Sequence, residues 1–243
     1  MQHLAAQTSY LEGACAYWAV PPLCGILAGD PRFNDDVAVI GLGPLGLAAV
    51  QMLAPFCRRV IAVDRLATRC ELAAEFGAIA VDASVTDAIT EIRRLVPDGP
   101  AVVIQAAGSQ RALELALAVV RPRGTVANVG TLPALTGFDL FWPMQLSGAK
   151  LVPIHRPGAD DGTDGALGAG LRQKYLPEVL ELIARGRLDI ARLCTWTLPL
   201  ESAPQALPFL RAHPERGLGL AFAWTDADVL GIEDFEAAVG QVS

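Results

Sequence analysis

Residues 36–64, DVAVIGLGPLGLAAVQMLAPFCRRVIAVD, constrain the fold more than any other stretch of the chain. An apolar run at 37–40 leads into Gly41-Leu42-Gly43-Pro44-Leu45-Gly46. A helical pattern follows to position 56, and a second apolar run at 60–63 ends in Asp64. This is strand, glycine turn, helix and strand in succession, the order of a parallel βαβ unit. Each glycine has its own task in such a unit. Gly41 permits the tight turn, Gly43 lets the backbone approach a pyrophosphate, and Gly46 lets the helix pack close to the strand. The helix start offers unpaired N–H groups and the positive end of its dipole to phosphates. Asp64 stands 18 residues after the third glycine, where a carboxylate can accept hydrogen bonds from an adenosine ribose. A bare GxGxxG also occurs in purely structural turns. Here strand, helix and terminal acid all fall in register, which points to a dinucleotide site.

The 243 residues suffice for one α/β domain with an appendage, and 52% of them are hydrophobic against 19% charged. That balance excludes a disordered chain. A net charge of −7 argues against a nucleic-acid partner or an anionic membrane surface. Met1-Gln2-His3-Leu4 lacks the basic start of a secretory signal, and no apolar run is expected to reach membrane-spanning length. A cytoplasmic protein is the expectation. The five cysteines (Cys15, Cys24, Cys57, Cys70, Cys194) show no CxxC or zinc-ribbon spacing, so reduced thiols are expected.

Residues 4–27 read as an apolar helical segment broken at Pro21-Pro22. After the first βαβ unit, strand and helix patterns keep alternating. Helices are expected at 66–76, closed by Gly77, at 86–96 and at 112–120. Strands are expected at 79–81, 102–106 and 125–129. The rhythm implies a doubly wound parallel sheet with helices on both faces. Beyond Gly130 it loosens. A Pro- and Phe-containing excursion at 132–147 precedes a sixth strand candidate at 150–155, and GADDGTDGALGAG at 158–170 reads as a flexible acidic loop. A helix at 171–185, strands at 194–198 and 218–224, a helix at 202–212 and a short acidic helix in 226–239 complete the chain. The organisation is thus a helical segment (1–35), a Rossmann-like domain (36–157) and an α+β appendage (171–243).

The runs EGACAYWAV, VVIQAAGSQRALELALAVVRPRGTVANVG and LPLESAPQALPFLRAHPERGLGLAF, together with the glycine unit, resemble the medium-chain dehydrogenase/reductase superfamily of alcohol and polyol dehydrogenases. The likeness covers residues 12–224. It implies a nicotinamide cofactor and hydride-transfer chemistry. By that resemblance Gly41, Gly43 and Gly46, with Pro44 and Leu45 between them, cradle the pyrophosphate. Asp64 holds the ribose and favours NAD over NADP, because a carboxylate repels a 2′-phosphate. Arg65 could soften that preference or simply be solvated. Arg69 matches a basic residue near the same ribose, or is one charge on an amphipathic helix. Ala106, Ala107, Val129 and Gly130 match the strand ends beside the nicotinamide half, and Val152 and Ile154 would offer backbone groups to its carboxamide.

The departures from the family are equally informative. The GroES-like barrel that carries most of its catalytic apparatus finds no room in this chain, and the four-cysteine zinc lobe is absent. Where zinc-bearing relatives add a ligand, alanine and Tyr17 fall nearest. Catalytic zinc needs three protein ligands around one open position, and no such set is legible, so no zinc is expected. Another group must then move the proton. His155 follows the strand expected beside the nicotinamide and titrates near neutrality when unperturbed, with Arg156 positioned for an anionic substrate group. It is otherwise a loop histidine. Tyr17 could donate a proton or only pack. Phe138, Phe141 and Trp142 could line a substrate pocket or fill the core. His3 and His213 read as peripheral.

Segments 171–224 wrap partly onto the barrel in the family, so an apolar face there needs a cover: a partner protein, a second copy of the chain, or the tail at 226–243. Pro153 removes a ladder donor, which puts the usual edge-to-edge dimer in doubt. The expectation is a zinc-independent NAD(H)-dependent oxidoreductase of a small alcohol, carbonyl or enoyl-type substrate, redox-neutral overall in one variant. A non-catalytic nucleotide-binding subunit and a scaffold recruited for a non-redox biosynthetic step are the alternatives.

Overall fold

A computed structural model of the chain describes residues 8–132, 134–154, 170–225 and 229–241, the side chains of 170–173 excepted. Six parallel strands form the central sheet: β1 (Asp36–Ile40), β2 (Arg59–Asp64), β3 (Ile79–Asp82), β4 (Val102–Gln105), β5 (Thr125–Asn128) and β6 (Lys150–Pro153). Their order is β3-β2-β1-β4-β5-β6, so the chain reverses direction of winding between β1 and β4. Ligands of open α/β sheets bind at such a reversal, outside the carboxyl ends of the strands.

The strands are unbroken apolar runs because both faces are covered, and alternate residues serve opposite cores. Val37, Val39, Ala62, Ile104 and Ala127 face one cluster, where α3 (Pro44–Leu53), α4 (Ala67–Glu75) and α7 (Gly170–Ala184) pack. Ala38, Ile40, Ile61, Val103 and Val126 face the other, under α5 (Ala88–Leu95) and α6 (Gln110–Val119). Asp87 and Ser109 cap these last two helices by accepting from the N–H groups of Thr90 and Ala112.

The N-terminal segment departs from expectation. It starts with α1 (Tyr10–Cys15), opened by a Ser9/Glu12 capping box, passes through a 3₁₀ turn (Ala16–Ala19) and continues as α2 (Val20–Gly29). Pro21 and Pro22 do not break it. They occupy the first turn of α2, where a missing N–H costs nothing, and the irregularity falls in the preceding turn. The continuous helical stretch Tyr10–Gly29 is also long and apolar enough to cross a membrane, contrary to the expectation that no run reaches that length. Its Ala16, Ala19, Val20 and Cys24 are buried in the sheet core, the place of a core helix.

At the far edge, β6 pairs only with β5 among the described residues. Lys150 N–H donates to Gly124 O and Ile154 N–H to Asn128 O, both at 2.9 Å, so even-numbered residues face β5 and odd-numbered ones face the open edge. Pro153 therefore removes a donor from that edge. The preceding excursion holds one π-helical turn (Phe141–Leu146) with no buried residue.

The C-terminal part forms a second, parallel pair, β7 (Trp196–Pro199) and β8 (Leu220–Ala223), with α8 (Ala203–Ala212) between them. The tail packs on this pair. Leu230 bridges antiparallel to Thr197, and α9 (Ile232–Gly240) inserts Phe235, 3% exposed, between Trp196 and Phe209. The rings meet edge-on with centroids 5.5 to 6.2 Å apart.

Candidate nucleotide site

Gly41 leaves β1 at φ +90°, a conformation that favours glycine, and its N–H donates to Val63 O at 2.8 Å. A side chain there would also meet Ala107, whose nitrogen and Cβ lie 2.7 Å from the position of a Gly41 Cβ. The same test at Gly46 places a Cβ 1.8 Å from Gly41 O: the helix sits directly on the turn, and only glycine permits it. At Gly43 nothing lies within 4 Å. The middle glycine thus faces open space at the tip of α3, with extended backbone and no side-chain cap, and Pro44 occupies the first helical position. This is the geometry of a backbone that a phosphate group could approach. Leu45 is half-buried beside it and packs on the core, while Leu42 is fully buried.

Asp64 closes the site on one side. Leu42 N–H donates to its Oδ2 at 2.7 Å, and the N–H groups of Arg65 and Leu66 donate to Oδ1 at 2.7 and 3.1 Å. Half-exposed, the carboxylate keeps lone pairs for further hydrogen-bond donors. Arg65 is exposed next to it. Arg69 turns elsewhere: its guanidinium donates to Pro214 O at 2.8 Å, tying α4 to the loop before β8.

On the other side the ends of β4 and β5 close in. Ala106 N–H donates to Ile40 O at 2.8 Å, and the N–H groups of Val129 and Gly130 both donate to Gln105 O. A Cβ on Gly130 would lie 2.3 Å from Ala107 O. Gly41, Ala107 and Gly130 therefore form a chain of close backbone approaches across three strand ends. Val152 and Ile154 sit one strand further out, with the Ile154 N–H engaged by Asn128 O. Sequence reading missed Gln105. It is fully buried at the end of β4, its side-chain amide has no partner within the described chain, and its Oε1 lies 2.7 Å from where a Gly130 Cβ would be. A lone amide closing the apolar run VVIQ was the available signal.

Tyr17 lies half-buried in the 3₁₀ turn and packs on the same core cluster as Ile154. His155 and Arg156 lie outside the described residues, as does His3. Phe138 packs on the core, whereas Phe141 and Trp142 are 58% and 69% exposed. His213 stacks against Phe209 in the C-terminal unit, away from the glycine turn. Among the described residues no group of three His, Cys, Asp or Glu could hold a metal ion.

Comparison with known proteins places the chain in a family. Residues 44–163 match the family described as zinc-binding dehydrogenases. A Mycobacterium tuberculosis protein described as a probable zinc-binding alcohol dehydrogenase is 30% identical over 84% of this chain and 50% of its own length. The D-guloside 3-dehydrogenase of Shigella flexneri is 27% identical over 87% of this chain and 61% of its own. Among solved structures, the alcohol dehydrogenase TADH of Thermus sp. ATN1 superposes with a TM-score of 0.74 at 29% identity, covering 91% of this chain and 62% of that one. The chain thus spans between half and two thirds of the length of these relatives. With the parallel six-stranded sheet, the glycine turn at its winding reversal and these relatives together, the chain belongs to the medium-chain dehydrogenase/reductase superfamily, of which it carries the cofactor-binding part.

Proposed function

We propose that the chain is an NAD(H)-dependent oxidoreductase of a small alcohol, carbonyl or enoyl-type substrate, working without zinc. One observation carries the reading: the open space at Gly43 lies directly beside a carboxylate hydrogen-bonded to the same turn. Gly43 and the tip of α3 would hold the pyrophosphate, Asp64 the ribose hydroxyls, and the Ala106-Ala107 and Val129-Gly130 strand ends the nicotinamide half. When bound, NAD supplies the hydride acceptor. The Asp64 carboxylate favours NAD, since it would face the extra phosphate of NADP. A Sinorhizobium meliloti relative of the same fold, 24% identical, is bound to NADP. Arg65, exposed beside the carboxylate, is the residue that would modulate that preference here, since the Arg69 guanidinium is engaged by Pro214 O. Proton handling falls to Tyr17 and His155 in this reading, and a metal has no part in it. The free cysteines suit a cytoplasmic setting.

Titrating the chain with NADH and with NADPH, following nicotinamide fluorescence, tests the proposal. Tighter binding of NADH, lost in Asp64→Ala, supports it, and no binding of either nucleotide overturns it. Turnover that survives EDTA and falls in Tyr17→Phe supports the zinc-independent step.

A second reading is a nucleotide-binding subunit that acts through another copy or another protein. The exposure of Phe141 and Trp142 next to the edge strand favours it. Native mass spectrometry that finds the chain monomeric would remove its support.

A further inference from the structure

Two cysteines far apart in sequence meet in space. Cys15 ends α1, and Cys194 follows the 3₁₀ turn (Ala191–Leu193) that leads into β7. Helix α1 packs directly on that turn and on β8, and both cysteines belong to the same core cluster, each thiol acting on the other, while the Cys194 thiol also donates to Trp196 O at 3.2 Å. Cys15 is buried and Cys194 half-buried, so a small solute arriving from solvent reaches Cys194 first. Neither thiol has a role in the proposed function.

We propose that Cys15 and Cys194 form a dithiol redox site, oxidised to a disulfide by a hydroperoxide. The Cys194 sulfur attacks one peroxide oxygen and the O–O bond breaks, releasing an alcohol, or water from hydrogen peroxide. The resulting sulfenic acid is attacked by the Cys15 sulfur, which forms the S–S bond and expels water. Two thiols lose two electrons and two protons, and one peroxide gains them. Cys194 takes the role of attacking sulfur and Cys15 that of resolving sulfur.

The surroundings divide these roles. The hydrogen bond from Cys15 holds the Cys194 thiol below the usual thiol range in spite of burial, helped by the Thr197 hydroxyl and the backbone at Ala221 and Trp196. Hydrogen bonding to Cys194, then burial, raises Cys15. Burial pushes Cys24, Cys57 and Cys70 up to about 11, which leaves them poor nucleophiles at neutral pH. The disulfide would tie the first helix to the start of the C-terminal strand pair, closing a loop of chain that contains all six strands of the central sheet. This inference does not rest on the nucleotide reading.

The test treats the reduced full-length chain with stoichiometric hydrogen peroxide near neutral pH. Two of the five thiols should disappear and return with dithiothreitol. A non-reducing peptide map should contain the Cys15–Cys194 link. Cys15→Ser should instead give a dimedone adduct at Cys194, and Cys194→Ser should lose thiols about tenfold more slowly than wild type. Wild-type thiol loss with no Cys15–Cys194 peptide overturns the proposal, whatever the variants do. So does an unchanged oxidation rate in a folded Cys194→Ser protein.

Discussion

The Leu42 N–H donates to Oδ2 of Asp64 at 2.7 Å, so the acid that ends β2 holds the glycine turn that ends β1. With Arg65 and Leu66 donating to the other oxygen, the carboxylate is fixed by three backbone groups of two neighbouring loops. A ribose recognised at Asp64 would therefore meet an oriented acceptor. Hydrogen bonds to a charged group contribute about 1.5–3 kcal/mol each, so Asp64→Ala should weaken NADH binding by about tenfold or more. It should also narrow the preference for NADH over NADPH, because the repulsive charge is gone. Parallel fluorescence titrations of both nucleotides check this, and an unchanged NADH affinity would sink the ribose assignment.

Gly43 and Gly46 make opposite predictions although they are three residues apart. A Cβ on Gly46 collides with Gly41 O, and backbone cannot step aside cheaply. Gly46→Ala should cost about 3 kcal/mol or prevent folding. A Cβ on Gly43 touches nothing within 4 Å, so Gly43→Ala should change stability by no more than about 1 kcal/mol. That methyl would fill the space a pyrophosphate needs, so binding should fall while the melting curve stays. A Gly43→Ala protein that binds NADH normally would refute the open-turn reading.

The residues that were legible in the sequence are those whose type is dictated locally. An unbroken apolar run that ends in a glycine turn, such as 37–40, reads as a strand buried on both faces, and Gly41 and Gly46 are demanded by a positive φ and a close approach. Pro21 and Pro22 misled because a proline stops a helix interior but suits a first turn, and only the capping geometry tells these apart. Contacts across long sequence distances left no periodic trace. The Arg69 guanidinium reaches Pro214 O, and Gln105 hides an amide in a run that otherwise reads as apolar. The packing of Phe235 against both Trp196 and Phe209 is another such contact.

Asp36 illustrates a charge that serves the fold from the opposite end of β1. It is 5% exposed and accepts hydrogen bonds from both Arg58 and Arg59. Burial would raise its carboxyl, but the hydrogen bonds from Arg59 and Arg58 outweigh that and hold it at about 2. A folded value below the ordinary one means that the contribution is present above about pH 4 and is lost as the pH falls through about 2. The shift corresponds to about 2 kcal/mol at most, given that both arginines are partly solvated. Asp36→Asn should lower stability near neutrality by about that much and flatten the acid limb of the curve. Urea melts at several pH values decide it; a mutant that keeps the wild-type acid limb would assign that limb to other groups.

The tail helix makes the last prediction. Phe235 fills the gap between Trp196 and Phe209 in a core of its own, separate from the two that flank the sheet. Truncating a buried Phe leaves a cavity and costs about 3–5 kcal/mol where the site cannot collapse. Phe235→Ala should therefore loosen α9 from β7, admit water to Trp196 and shift its fluorescence to the red. The exposed Glu233 in the same helix provides the control: Glu233→Ala should leave both stability and emission unchanged. NADH binding should survive in Phe235→Ala, because Gly43 and Asp64 lie on the sheet and not on this unit. If Phe235→Ala melts like the wild type, the tail is not the cover of the β7–β8 pair, and that apolar face must be closed by another chain.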